Sequence, residues 1–260
     1  MKTNSHKRIW TVLQGVLFLL YACASTQMEK AESTNGAAYN RRGIDYVKRG
    51  EYDQAILNFS KALEIYPSYA EAYVNRGHAY NMKGEFDLAI WDCEKALEIN
   101  AKDHLAYYHR GIAYTMSGRS DQAILDFSKA LEINPGYAKA HVNRANAYNR
   151  KGEYDQAILD CSKALEINAR DYLAFSNRGY AYAMKGLYDQ AILDFSKVLE
   201  IDPNYGIAYY SRGLAYYYKR EYSKSWDDIS KARDLGYQVS SDIFEFLERL
   251  RRERTKEFFY

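Results

Sequence analysis

The stretch Asp121–Pro135, DQAILDFSKALEINP, decides how this chain folds. It returns as DQAILNFSKALEIYP from Asp53, DLAIWDCEKALEINA from Asp87, DQAILDCSKALEINA from Asp155 and DQAILDFSKVLEIDP from Asp189. A worn copy, SKSWDDISKARDLGY, begins at Ser223, and every copy starts 34 residues after the one before. A fixed period of that length marks an array of stacked structural units.

Within the stretch, Ala123, Ile124, Phe127, Ala130 and Leu131 fall on one face of an amphipathic helix. Asp121 suits the positive end of that helix, and Pro135 stops it after Asn134. A second helix precedes it, LAYYHRGIAYTM from Leu105 to Met116, with Gly118 as its C-cap. Each unit is therefore a helix hairpin whose apolar face is too small to stand alone, and stacked neighbours supply the missing core.

Counted from Gly36, Ala70, His104, Ala138, Tyr172 and Gly206, position 4 carries Tyr39, Tyr73, Tyr107, His141, Phe175 and Tyr209. Position 8 carries Gly43, Gly77, Gly111, Ala145, Gly179 and Gly213; position 11 is tyrosine throughout; position 20 is alanine until Ser225. In these residues the chain resembles the tetratricopeptide repeat family from Gly36 to about Val239. The resemblance implies an all-α fold, a right-handed superhelical solenoid of six helix hairpins at 36–69, 70–103, 104–137, 138–171, 172–205 and 206–239. A longer period overlies the first. Repeats one, three and five carry Phe59, Phe127 and Phe195 with Pro67, Pro135 and Pro203; repeats two and four carry Cys93 and Cys161 with Ala101 and Ala169.

At 260 residues and 47% hydrophobic, the chain has ample apolar content for a core. Its net charge of +2 rests on Lys2, Lys7 and Arg8, so no nucleic-acid footprint shows. Three cysteines do not make a disulfide framework; Cys93 and Cys161 share one core position two repeats apart. No glycine phosphate loop, nucleophile elbow or Cys-x-x-Cys pair is present, and no two histidines stand four apart. Enzyme activity, a metal, a cofactor and a small-molecule substrate are accordingly not expected.

The leader, 1–22, has a basic start and an apolar run from Ile9 to Ala22, too short for a membrane span of ~20 residues but suited to a signal peptide. It closes on Leu20-Tyr21-Ala22-Cys23, which resembles a bacterial lipobox, with Tyr21 where a small residue is usual. That resemblance implies lipidation of Cys23 and a lipid-anchored protein of the bacterial cell envelope. Ala24 in place of aspartate favours the outer membrane, facing the periplasm. Ordinary secretion with cleavage after Ala24 and an uncleaved anchor are the rival readings. Residues 23–35 then form the lipidated cysteine and a polar tether.

The sixth repeat has drifted, with Arg220 for the turn glycine, Ser225 for alanine and Ile229 for phenylalanine. Residues 240–260 read as a capping helix and basic tail. Asp242 and Glu245 suggest a capping box, and Ile243, Phe246, Leu247 and Leu250 an apolar stripe. Arg249, Arg251, Arg252 and Arg254 read as a solvated face, with anionic headgroups as the other reading.

Position 7 is arginine in all six repeats, and position 23 is Asn58 followed by five aspartates. Structural ion pairs are expected for Arg76 with Asp92, Arg110 with Asp126, Arg144 with Asp160 and Arg178 with Asp194. The family builds its concave surface from positions 2, 5, 9, 12 and 13 of each first helix. Here those positions hold Leu105, Tyr108, Ile112, Tyr180, Met184, Tyr210, Leu214, Tyr217 and Tyr218, and repeats two and four add His78, Asn81, Lys139, Asn146, Asn149 and Arg150. Packing against the capping helix is the rival reading for Tyr217 and Tyr218. Position 6 carries Asn75, Asn143 and Asn177, similar to the asparagine ladder that holds peptide backbones in the repeats of O-linked N-acetylglucosamine transferase; duplication of a common string is the plainer account. The lysine of the chaperone-tail clamp is absent. An aromatic groove with amides suits an extended peptide or a helix of a partner protein. A protein-interaction scaffold is therefore the leading reading, and a self-associating structural protein the alternative.

Overall fold

A computed structural model describes residues 35–257. The leader, Cys23, the tether up to residue 34 and the terminal Phe258-Phe259-Tyr260 lie outside them. Among the described residues the chain is all-α, with thirteen helices. They are α1 (35–48), α2 (Tyr52–Ile65), α3 (Ala70–Lys83), α4 (Phe86–Ile99), α5 (His104–Met116), α6 (Ser120–Ile133) and α7 (Ala138–Lys151). There follow α8 (Tyr154–Ile167), α9 (Tyr172–Met184), α10 (Tyr188–Ile201), α11 (Gly206–Tyr218), α12 (Tyr222–Asp234) and α13 (Ser241–Glu257). They form two compact units, divided between Ala113 and Tyr114 within α5.

In the first unit α3 packs on both α2 and α4. In the second, each helix from α6 to α13 packs on the next. There the first helices of successive repeats also meet, α7 on α9 and α9 on α11, which sets their outward faces side by side. The contacts are close because the residues at them are small. Ala157, Ala164, Ala174 and Ala181 are fully buried, as are Ala55, Ala62, Ala72 and Ala79 in the first unit. Packing at roughly 8–10 Å between axes needs such residues. Burial also pushes the Cys161 thiol well above its ordinary value, so it behaves as a small apolar residue.

The longer period has a structural counterpart in the junctions between repeats. The chain enters α5 and α9 through Asp103 and Asp171, whose Oδ1 atoms each accept from two backbone N–H groups of the first turn. The proline-bearing junctions enter α3, α7 and α11 through Tyr69, Tyr137 and Tyr205, with no side-chain cap. The helix before the junction ends at the equivalent isoleucine in both kinds, so the two differ in how the next helix is started.

The last helix departs from its expected start. Phe244 N–H donates to Ser240 O at 3.1 Å, so the helix opens after Ser240 and Asp242 lies inside its first turn. The expected capping box of Asp242 and Glu245 is therefore corrected. Leu247 is 1% exposed, and Phe246 packs edge-on against Tyr217 and Tyr222 at 5.8 Å each. Phe244, outside the expected stripe, lies 4.8 Å from Trp226 and beneath the Arg233 guanidinium. Arg251 does not simply face water: its guanidinium sits 5.3 Å from the Trp226 ring centre.

Candidate functional site

The position-7 arginines lock the hairpins. Arg76 donates to both oxygens of Asp92, at 2.8 and 2.7 Å, and through Nη1 to Ser60 of the preceding repeat at 2.8 Å. Arg144 holds Asp160 and Ser128 in the same way, Arg178 holds Asp194 and Ser162, and Arg212 holds Asp228 and Ser196. Each planar guanidinium therefore ties two helices of its own repeat to the repeat before it. Where that serine is Glu94, Arg110 Nη1 stands 3.9 Å from its Oε1; Asp126 is buried. Asn58, in the aspartate's place, turns back to Gln54 O. The serine recurs at one position in five of the six repeats, as regularly as the aspartate, but its bond to the arginine of the following repeat depends on how the repeats stack.

A second tie repeats on the surface. Lys83 reaches Asp53, Lys151 reaches Asp121, and Lys185 and Lys219 reach Asp155 and Asp189, always one repeat back. The carboxylates raise the ammonium groups of Lys83, Lys151 and Lys219 above the ordinary lysine value.

Each position-6 asparagine already donates one hydrogen bond within the chain. Asn75 Nδ2 donates to Asn40 Oδ1, Asn143 Nδ2 to Lys139 O of its own helix, and Asn177 Nδ2 to Val142 O at 3.4 Å. Asn149 is buried and donates to Asn177 O at 2.9 Å, which clips repeat four to repeat five. Asn146 alone of the expected amides in repeat four is exposed.

The tyrosines divide likewise. Tyr108 is 7% exposed and so presents no ring to a ligand. Tyr217 is engaged by Phe246 and Tyr222, the capping role. Tyr210 is partly buried against Tyr237, with ring centres 5.0 Å apart. Tyr180 remains 45% exposed, its ring edge-on to Tyr154, and Tyr218 is 60% exposed, stacked on Tyr188. Beside them Met184 and Leu173 are exposed on α9 and Ile207 on α11. Leu173 and Ile207 were missed by the sequence reading, although both occupy lining position 2. The result is a mainly apolar face across α9 and α11, bordered by the polar face of α7.

His141 marks a different feature. It replaces the position-4 aromatic, with Nδ1 3.0 Å from Asp160 Oδ1 and Nε2 3.3 Å from Pro135 O. The smaller ring borders a cavity of about 660 Å³, which Ser128, Arg144 and Lys163 also line. No cluster of three or more metal-ligating side chains occurs among the described residues.

No curated protein sequence matches the chain significantly. Among solved structures, a tetratricopeptide repeat protein from Parabacteroides merdae ATCC 43184 is 22% identical, with 81% of this chain and 83% of that one covered at a TM-score of 0.65. YrrB, described as a TPR protein with an unusual peptide-binding site, is 26% identical over 74% of this chain and 97% of its own, at 0.60. The Pseudomonas aeruginosa pilF protein shares the fold, at 17% identity, 84% and 99% coverage and 0.72. The tetratricopeptide repeat model matches residues 70–103, 104–137, 138–171 and 172–205, and a TPR repeat model matches 43–84. The chain belongs to the tetratricopeptide repeat family, whose fold makes it a protein-interaction scaffold.

Proposed function

We propose that the chain is a lipid-anchored scaffold of a bacterial cell envelope that holds a peptide or helix of a partner protein on the first-helix face of its repeats. One observation carries the binding part: Tyr180 and Met184 on α9 and Tyr218 on α11 are exposed although the core has no need of them. Aromatic and thioether side chains left in water on adjoining helices suit an apolar ligand surface. The resemblance to YrrB supports the same reading. The anchor rests on Leu20-Tyr21-Ala22-Cys23 and the basic, apolar leader before it.

The packing of α13 on repeat six favours an adaptor over a stacking structural protein, because Leu247 and Phe246 occupy the end of the second unit. A photo-crosslinking residue at position 180 should join the chain to a partner in native membranes, and one at position 193, on the second helix of repeat five, should not. Equal products from both positions count against the groove. Cys23→Ser should move the chain to the soluble fraction, since two or more acyl chains anchor nearly irreversibly. Unchanged membrane retention, with no acyl mass on the wild type, refutes the anchor.

A further inference from the structure

Charge in the second unit is segregated by helix. The first helices α7, α9 and α11 contain no aspartate or glutamate, whereas α8, α10 and α12 each carry several. Most cations of the first helices are already neutralised, Arg144, Arg178 and Arg212 by buried aspartates and Lys151 by Asp121. Two are not. Lys139 is exposed without a carboxylate partner, and Arg150 makes its hydrogen bond to a neutral acceptor, Thr115 O. Both lie on α7 at lining positions, 2 and 13. At those same positions α9 carries Leu173 and Met184, and α11 carries Ile207 and Tyr218. Because α7 packs on α9 and α9 on α11, the face runs from a cationic strip to an apolar one with no acid on these three helices.

Resting on the groove reading above, we infer that the partner segment is acidic and amphipathic: an apolar ridge seated on α9 and α11, with Asp or Glu turned to Lys139 and Arg150. A basic segment meets two cations on α7 and finds no anion on α7, α9 or α11, which is discrimination by repulsion as well as attraction. The whole chain is close to neutral, at +2, so a preference for acid must arise locally.

The test is selection of short random peptides displayed on phage against the purified full chain. Recovered peptides should combine Leu, Ile or Phe with an excess of Asp and Glu. They should bind Lys139→Glu/Arg150→Glu roughly 10-fold or more weakly, and raised salt should weaken them because exposed pairs are screened. Arg150→Lys, which keeps the charge, should retain binding; unfolding curves confirm that each variant folds. Neutral or basic peptides that lose binding on Tyr180→Ala/Met184→Ala overturn this inference and leave the groove standing. Peptides indifferent to both double changes, or no recovered peptides at all, overturn the groove reading with it.

Discussion

The backbone of Gly179 runs so close to Phe195 that a β-carbon on the glycine would stand 2.9 Å from the ring. At Gly77 the facing residue is the smaller Cys93, and the same β-carbon would stand 3.1 Å from its Sγ. Repeat four makes this exchange itself, with Ala145 beside Cys161 in one buried cluster. The alternation of Phe and Cys along the chain is therefore a matter of volume across a helix contact.

Gly179→Ala should accordingly destabilise the fold by roughly 1–3 kcal/mol through overpacking. Gly77→Ala should cost clearly less, since alanine also regains helix propensity. Thermal or urea unfolding of the two variants checks this. Equal losses would show that Phe195 and Cys93 do not set the spacing.

Arg220 takes a left-handed conformation, φ +64°, where Gly50, Gly84, Gly118, Gly152 and Gly186 turn the other hairpins. A side chain there costs about 1 kcal/mol. Arg220→Gly should raise the unfolding midpoint of the last repeat, and Arg220→Ala should not. Hydrogen exchange along α11 and α12 reads the difference.

Two buried aspartates at equivalent positions should titrate apart. Burial raises the Asp92 carboxyl and prevails over the bonds from Arg76. Burial acts on Asp160 too, but Arg144 and His141 together outweigh it and hold that carboxyl below the ordinary range. The stability Asp160 supplies is thus present above the unfolded value of about 3.9 and is lost as pH falls through its lower folded value. Asp92 has the opposite sign: acidification through its raised value relieves the cost of a buried charge. Carboxyl carbon NMR should place Asp160 below Asp92, and His141→Phe should narrow the gap. Coincident titrations would refute the assignment.

The two inter-repeat ties should differ in strength. Arg178→Ala leaves the Asp194 carboxylate buried without its guanidinium, which costs about 3–5 kcal/mol. Lys185→Ala removes a solvent-exposed pair with Asp155 and should change stability little. Chemical unfolding of each variant tests the contrast, and comparable losses would contradict it.

Sequence alone determined whatever is repeated: the hairpins, the small residues at the helix contacts, and the arginines facing aspartates. These follow from local geometry, because 3.6 residues per turn sets which side chains share a face, and a 34-residue period sets which faces meet. Exposure was decided only by the tertiary structure, since it depends on what the neighbouring element places against a residue. Tyr217 and Tyr218 are adjacent and alike in sequence, yet α13 covers the first with Phe246 and leaves the second in water. Asn143, Asn146 and Asn149 look equivalent on α7, yet Lys139 O and Asn177 O take two of the amides and leave Asn146 exposed. The period repeats a residue type faithfully, but each hydrogen bond and each ring contact depends on the one neighbour that stands opposite.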